Sequence, residues 1–203
     1  MEKFSVFCVP AGVLRANSYL VTADGASAVL IDCGGEEPLR EAERRGLAVE
    51  AVLLTHGHFD HIGGCAAAQA RGIRVGCARA ETETVAAQPA FTAQFGLTVA
   101  PFTPDFTFGD GDTLSFAGLS FRVVATPGHT EGGVCFLCGD ALFTGDTLFA
   151  GSVGRTDFPG GSAGKLRQSL QKLFALAEDC TVYPGHDEAT TLAYERKYNP
   201  FAK

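Results

Sequence analysis

Thr55-His-Gly-His-Phe-Asp-His61 gathers three of the chain's five histidines and an aspartate into one short stretch. It grows out of Val49–Thr55, a near-continuous apolar run of the kind that forms a strand buried on both faces. Imidazole and carboxylate donors suit zinc, iron or manganese. A loop leaving such a strand can aim His56 and His58 at one point and, a turn later, Asp60 and His61 at a neighbouring point. One loop can therefore feed two cations, each of which needs further donors from elsewhere. The other two histidines stand in Thr126-Pro-Gly-His129 and Tyr183-Pro-Gly-His186, both after expected strands. Asp146, in Phe143-Thr-Gly-Asp146-Thr, closes another strand and is the best candidate for a carboxylate shared between the two points. No histidine is left over for ordinary structural duty.

Outward from this stretch the chain reads as an α/β pattern. Phe4–Val9, Ser18–Thr22 and Ala28–Asp32 are short β-rich runs divided by turn residues. Glu37–Arg45 is a polar helix with Pro38 near its start and Gly46 past its end. Cys65–Arg71 is an Ala-rich helix closed by Gly72, and Ile73–Cys77 is a strand. From about Ala86 to Asp105 the periodicity weakens, with Pro101 and Pro104 inside; this is a helix-loop excursion that could serve as a lid. Strands follow from Thr107 through Phe116, then at Leu119–Ala125, Gly133–Cys138 and Ala141–Thr144. Leu166–Ala177 is an amphipathic helix, Cys180–Tyr183 a last strand and Thr191–Tyr198 a last helix. With no linker and no low-complexity tract, residues 1–203 read as one domain.

Composition narrows the function classes. The chain has 203 residues, 46% of them hydrophobic and 19% charged, which suits a folded core rather than disorder. A formal net charge of -7 argues against phosphate-driven nucleic-acid binding. Charges or glycines interrupt every apolar run, so no membrane span is expected. The start, Met1-Glu2-Lys3 and a short apolar run to Pro10, does not read as a secretory signal. Seven cysteines, an odd and irregularly spaced set, fit a reducing cytoplasm. Cys135 and Cys138 form a lone CxxC inside an apolar run and read as small strand hydrophobes.

Together, HGHFDH at 56–61, TPGHT at 126–130, TGD at 144–146 and PGH at 184–186 resemble the metallo-β-lactamase superfamily, in order and over nearly the whole chain. The resemblance implies an αβ/βα sandwich, two mixed β-sheets flanked by helices, with metals at one edge. It implies one metal on His56, His58, His129 and Asp146 and a second on Asp60, His61, Asp146 and His186. Two divalent ions are expected, zinc first, with iron or manganese as alternatives. Gly154-Arg-Thr-Asp-Phe-Pro-Gly-Gly161 and Glu195-Arg-Lys-Tyr-Asn-Pro-Phe201 narrow the match to short hydroxyacylglutathione hydrolase-like (type II glyoxalase-like) proteins. The expected activity is hydrolysis of a small-molecule thioester such as S-lactoylglutathione, with Asp60 and Asp146 as the catalytic carboxylates. The end at Lys203 leaves no room for the separate helical domain that longer glyoxalases II use for glutathione. Antibiotic hydrolysis is disfavoured on the motif pattern, and the long insertions of the superfamily's nucleases are not present.

Two other readings stand beside this one. Persulfide dioxygenases share the HxHxDH motif and a GRTDF-like segment and hold a single iron; here that iron would use His56 or His58 with His129 and Asp146. A non-catalytic metal-binding module would be expected to lack ligands, and none is missing. Asp32, in Leu30-Ile-Asp-Cys-Gly, either fixes a ligand imidazole or serves the turn alone. Arg155 either contacts an anionic substrate or anchors its own loop. Gly109-Asp-Gly-Asp112 lacks the glutamate of a calcium loop and is expected to be a hairpin turn. The glycine pairs at 63–64 and 160–161 read as turns and close packing.

Overall fold

The apolar run that leads into the histidine loop sorts its side chains by parity. In strand β4 (Ala48–Leu53), Ala51 and Leu53 face one core while Val52 and the following Leu54 face another. The same division holds in β3 (Ser27–Ile31), where Val29 and Ile31 point one way and Ala28 and Leu30 the other. Successive side chains of a strand point to opposite faces, so a strand apolar at every position must be covered twice. In the computed structural model, which describes residues 4–177 and 179–202, that is the arrangement found. Met1–Lys3 and Lys203, the ends of the one-domain reading, and Glu178 lie outside the described residues, as does the start of the non-signal segment.

Sheet one has the order β1 (Ser5–Ala11), β2 (Ala16–Thr22), β3, β4, β5 (Arg74–Ala78), β6 (Phe106–Phe108). Its first three strands are antiparallel and β3 to β6 are parallel. Pro10 is tolerated within β1 because that strand pairs on one side only, with Asn17 as Pro10's partner. In sheet two the order is β14 (Thr190–Thr191), β13 (Thr181–Pro184), β10 (Ala141–Gly145), β9 (Val134–Cys138), β8 (Leu119–Ala125), β7 (Thr113–Phe116). Only its β10–β13 pair is parallel. A short hairpin, β11 (Leu148–Phe149) with β12 (Ser152–Val153), lies outside both sheets.

The sheets pack face to face over Val29, Ile31 and Leu53 on one side and Phe121, Phe136 and Phe143 on the other. Helices α1 (Glu37–Arg45), α2 (Phe59–Ile62) and α3 (Cys65–Ala70) cover the outer face of sheet one, with Leu39, Ile62 and Ala68 buried against Leu30 and Val52. On the outer face of sheet two, α5 (Ala163–Phe174) buries Leu166, Leu170 and Leu173 against Leu137 and Leu142. The final helix, α6 (Leu192–Tyr198), is capped by the Thr191 hydroxyl, which accepts from the Tyr194 N–H. This is the expected αβ/βα sandwich. Cys135 and Cys138 fall in different cores, so the CxxC offers no common ligand point.

Three expectations need correction. The Gly109–Asp112 turn is not a hairpin: β6 joins sheet one beside β5, whereas β7 pairs with β8 in sheet two. The turn carries the chain from one sheet to the other, and its local bonds, including Gly109 N–H to the Asp112 carboxylate at 2.8 Å, serve either outcome. Helix α5 starts three residues before the expected Leu166, because Ser162 caps it, accepting from the Lys165 N–H. The excursion opens with helix α4 (Thr82–Ala93), which begins earlier than Ala86 and carries Pro89 inside it. None of the described helices is long and apolar enough to cross a membrane.

Candidate metal centre

All seven expected donors meet at one edge of the sandwich. Sheet one supplies four, from the loop after β4 and from α2; sheet two supplies His129 after β8, Asp146 after β10 and His186 after β13. Nitrogens of His56, His58 and His129 lie within 4.8 Å of one another, as do the donor atoms of Asp60, His61 and His186. His58 Nδ1 is 2.8 Å from His129 Nε2. Asp146 stands between the two groups, with Oδ1 3.3 Å from His61 Nε2 and Oδ2 3.5 Å from His129 Nε2 and 3.7 Å from His186 Nε2. Asp60 Oδ2 lies 3.2 Å from His186 Nε2.

His61, His129 and the His186 turn are held from behind. Asp32 has a left-handed backbone (φ 56) and accepts the Thr55 N–H and hydroxyl, both at 2.7 Å. Its Oδ2 is also 2.8 Å from His61 Nδ1, leaving His61 Nε2 to face Asp146. His129 Nδ1 bonds the Arg155 carbonyl at 2.7 Å, which fixes Nε2 inward. The His186 turn is clamped by β2: Asn17 donates to the carbonyls of Pro184 and Asp187, and the Tyr19 hydroxyl donates to Pro184 O at 2.6 Å. Gly185 has no room for a side chain, because a Cβ there would strike Asp146 Oδ1. Gly63 and Gly64 press against the carbonyls of Gly34 and Gly35, and Gly160 takes a turn conformation at φ 86, as the sequence suggests.

Electrostatics match a cation site. Burial pushes His56 well below the ordinary imidazole range, helped by the neighbouring His61 and His129. It also lowers His129, and it brings His58 to about 4. These rings are neutral, with lone pairs to give. Burial alone would raise Asp60 and Asp146, yet adjacent His61 and His186 hold both carboxyls below their usual range. Burial would likewise lower His61, but Asp146, Asp60 and Asp32 overcome it and raise the ring. His186 is raised chiefly by its hydrogen bond to Asp60. Among the described residues, His56 Nε2, His61 Nε2 and Asp146 Oδ1 are buried without a hydrogen bond. Buried polar atoms are rarely left so, and three in one place, all of metal-donor type, fit divalent cations.

Two features escaped the sequence reading. Glu81, fully buried in a 3-10 turn ahead of α4, accepts the Gly57 N–H through Oε2 and the Gly132 N–H through Oε1, both at 2.7 Å. It ties the loop of His56 and His58 to the loop of His129, and burial raises its carboxyl above the ordinary range. Its neighbours Arg79 and Glu83 make it look like one surface charge among several. The second is a cavity of about 580 Å³ above the donors, walled by Phe59, Phe91, Phe95, Phe149 and Phe158. Single phenylalanines scattered along the chain carry no periodic signal. Arg155 lines the rim, but its guanidinium is paired with Asp157 through two contacts of 2.7 Å and lies 3.9 Å over the Phe158 ring.

The family model described as the metallo-beta-lactamase superfamily matches residues 11–186. Hydroxyacylglutathione hydrolase GloC of Haemophilus influenzae is 35% identical, over 95% of each chain. Among solved structures, BLEG-1 B3 metallo-beta-lactamase aligns with a TM-score of 0.90 and 33% identity, over 99% of this chain and 100% of that one. TTHA1623 in a di-iron-bound form aligns with a TM-score of 0.86 and 38% identity, over 96% and 99%. With the family model spanning the strands that carry all seven donors, the chain belongs to the metallo-beta-lactamase superfamily.

Proposed function

We propose that the chain is a binuclear metal-dependent hydrolase acting on a thioester. His56, His58, His129 and Asp146 would hold one cation, and Asp60, His61, Asp146 and His186 the other. The observation that carries this reading is Asp146, whose carboxylate lies within 3.7 Å of a nitrogen from each group of donors: His129 of one, and His61 and His186 of the other. The di-iron form of TTHA1623 and the name of GloC support a two-metal centre and an acyl-thiol substrate. Zinc, iron and manganese all suit this donor set.

When bound, such cations supply Lewis acidity and an acidified water, whose pKa falls to about 7 at single zinc sites. The chain's own part is positional. Asp60, fixed against His186, would orient the attacking water toward the substrate carbonyl. Phe59, Phe149 and Phe158 line the space above the donors, and with a substrate seated against them they would limit the water that reaches the site. In the reaction, the water oxygen bonds the carbonyl carbon and the carbon–sulfur bond breaks with its electron pair going to sulfur. The departing thiolate takes up a proton, while the acid product ionises and releases one. A thiol pKa of about 8.5 makes acid assistance to the leaving group nearly unnecessary.

The test is turnover of S-lactoylglutathione and simple acyl thioesters by metal-loaded protein, with a β-lactam as the competing substrate class. Asp146→Asn and His58→Ala should each abolish most thioesterase activity and lower the metal content from two per chain. Undiminished turnover in either variant refutes the assignment. A single iron per chain, with oxygen uptake on glutathione persulfide and no thioester cleavage, would replace it with the mononuclear dioxygenase reading.

A further inference from the structure

We infer that the preferred substrate carries an apolar chain beside its scissile carbonyl, lodged against Phe91, Phe95 and Leu97. This rests on the hydrolase reading above and narrows its substrate class. The cavity of about 580 Å³ is continuous with the donors: His58, Asp60, His129, Asp146 and His186 form part of its lining. Whatever reacts there therefore places its remaining bulk in the same cavity, whose size is typical of small-molecule sites.

That bulk meets almost nothing polar. An aromatic path leads away from the donors: His58 is 5.7 Å from Phe158, Phe158 is 6.0 Å from Phe91, and Phe91 is 5.3 Å from Phe95. Leu97 and Leu14 also line the cavity. Phe95 is 66% exposed and Leu14 is 54% exposed, although both lie at the rim of a cavity that could cover them. Large apolar side chains left in water around a concave site mark a surface that binds something apolar. Helix α4 and the segment after it thus act as the specificity wall for the reaction.

Charge points the same way. Glutathione carries two carboxylates, and a site built for it needs cations to meet them. Arg155 is the only Lys or Arg among the cavity's lining residues, and Asp157 already takes its guanidinium in a two-point pair. The apolar chain could sit on the acyl side or on the thiol side of the carbonyl, so the two sides must be varied separately.

The experiment measures kcat/KM for zinc-loaded protein on two series. One is straight-chain acyl thioesters of N-acetylcysteamine from acetyl to decanoyl; the other is acetyl thioesters of n-alkyl thiols of the same lengths. Burial of each methylene should raise kcat/KM by about fourfold in one series until the cavity is filled. S-Lactoylglutathione should be a poorer substrate than the best of that series. Phe95→Ser and Phe91→Ser should each cut the octanoyl-to-acetyl (or octyl-to-methyl) ratio at least tenfold. A flat response in both series, or a preference for S-lactoylglutathione over every apolar thioester, overturns the inference while leaving the hydrolase reading intact. Calorimetric titration with octanoate and acetate gives a readout independent of turnover. If no thioester is cleaved, the hydrolase reading falls; octanoate binding at least tenfold tighter than acetate, and lost in Phe95→Ser, still supports the apolar site, whereas equal affinities reject it.

Discussion

Replacing Glu81 with glutamine tests whether a buried carboxylate sets the spacing of the two ligand loops. Wild-type Oε1 and Oε2 each accept one backbone N–H, from Gly132 and Gly57, at 2.7 Å and fully out of solvent. Glutamine has nearly the same shape but only one acceptor oxygen. Its NH2 group must then face an amide N–H, donor against donor. Leaving one buried donor unsatisfied costs about 1–3 kcal/mol. Part of this is offset, because glutamine escapes the desolvation that raises the Glu81 carboxyl. A net loss of about 1–2 kcal/mol remains, or roughly 2–8 °C in melting temperature for a chain of this size. The functional loss should be larger than the stability loss, because Gly57 lies between His56 and His58 and Gly132 lies three residues past His129. Thermal unfolding by circular dichroism and metal content by elemental analysis, run on the same preparation, read out both effects. A Glu81→Gln protein that melts within 1 °C of wild type and retains its metals would show that the carboxylate does not organise the loops.

Three further outcomes are expected. Gly185→Ala drives a Cβ into Asp146 Oδ1, so the protein should keep its far-ultraviolet spectrum yet bind zinc at least tenfold more weakly in a competition titration with a chromophoric chelator. Stripping the cations should lower the melting temperature by about 10 °C or more, since a ligand held at a hundred times its Kd contributes about 2.7 kcal/mol and two sites are at stake; restored zinc should reverse the shift. Asp105, whose carboxylate accepts the Val75 N–H and a Gln69 N–H at 2.8 Å, has its pKa lowered chiefly by that backbone bond. Its contribution is present above the unfolded value and is lost as pH falls through the folded one. The urea midpoints of wild type and Asp105→Asn should therefore differ at pH 7, and the difference should shrink as the pH falls below about 4.

The cluster of candidate donors was legible in the sequence because metal chemistry draws on few residue types and places them at strand ends. With only five histidines in the chain, density alone separated donors from bystanders. Strands were legible for a similar reason, since apolar runs such as Val49–Thr55 admit few arrangements. The Gly109–Asp112 turn misled because its hydrogen bonds lie within the turn, while the choice between hairpin and crossover is made by distant strands: β5 captures Phe106–Phe108 and β8 captures Thr113–Phe116. Glu81 was illegible because its role depends on two backbone N–H groups 24 and 51 residues away, and backbone groups leave no trace in composition. Asp32 was half-legible: its place after β3 suggested support for an imidazole, but only the fold shows that the imidazole is His61.

The division between legible and illegible residues follows the division of labour at the site. Donors sit on strand ends and on the first turn of α2, with Thr55, Asp32, Asn17, Tyr19 and the Arg155 carbonyl locking them in place. Such elements are rigid, and a metal centre needs that rigidity to hold its geometry. The cavity walls come partly from the donor-bearing α2 and the neighbouring β11, through Phe59 and Phe149, and otherwise from the turn bearing Leu14, from Phe91 and Phe95 around the end of α4, and from the loop of Phe158. Substitutions at Leu14, Phe91 and Phe95, remote in sequence from every candidate donor, should change which chain is held beside the carbonyl and leave the donors in place. On the proposed reading, the reaction class is encoded in a short list of histidines and aspartates that stand out in the sequence. Substrate choice, on the same reading, is encoded in scattered apolar side chains, which acquire meaning only when the fold brings them around the same space.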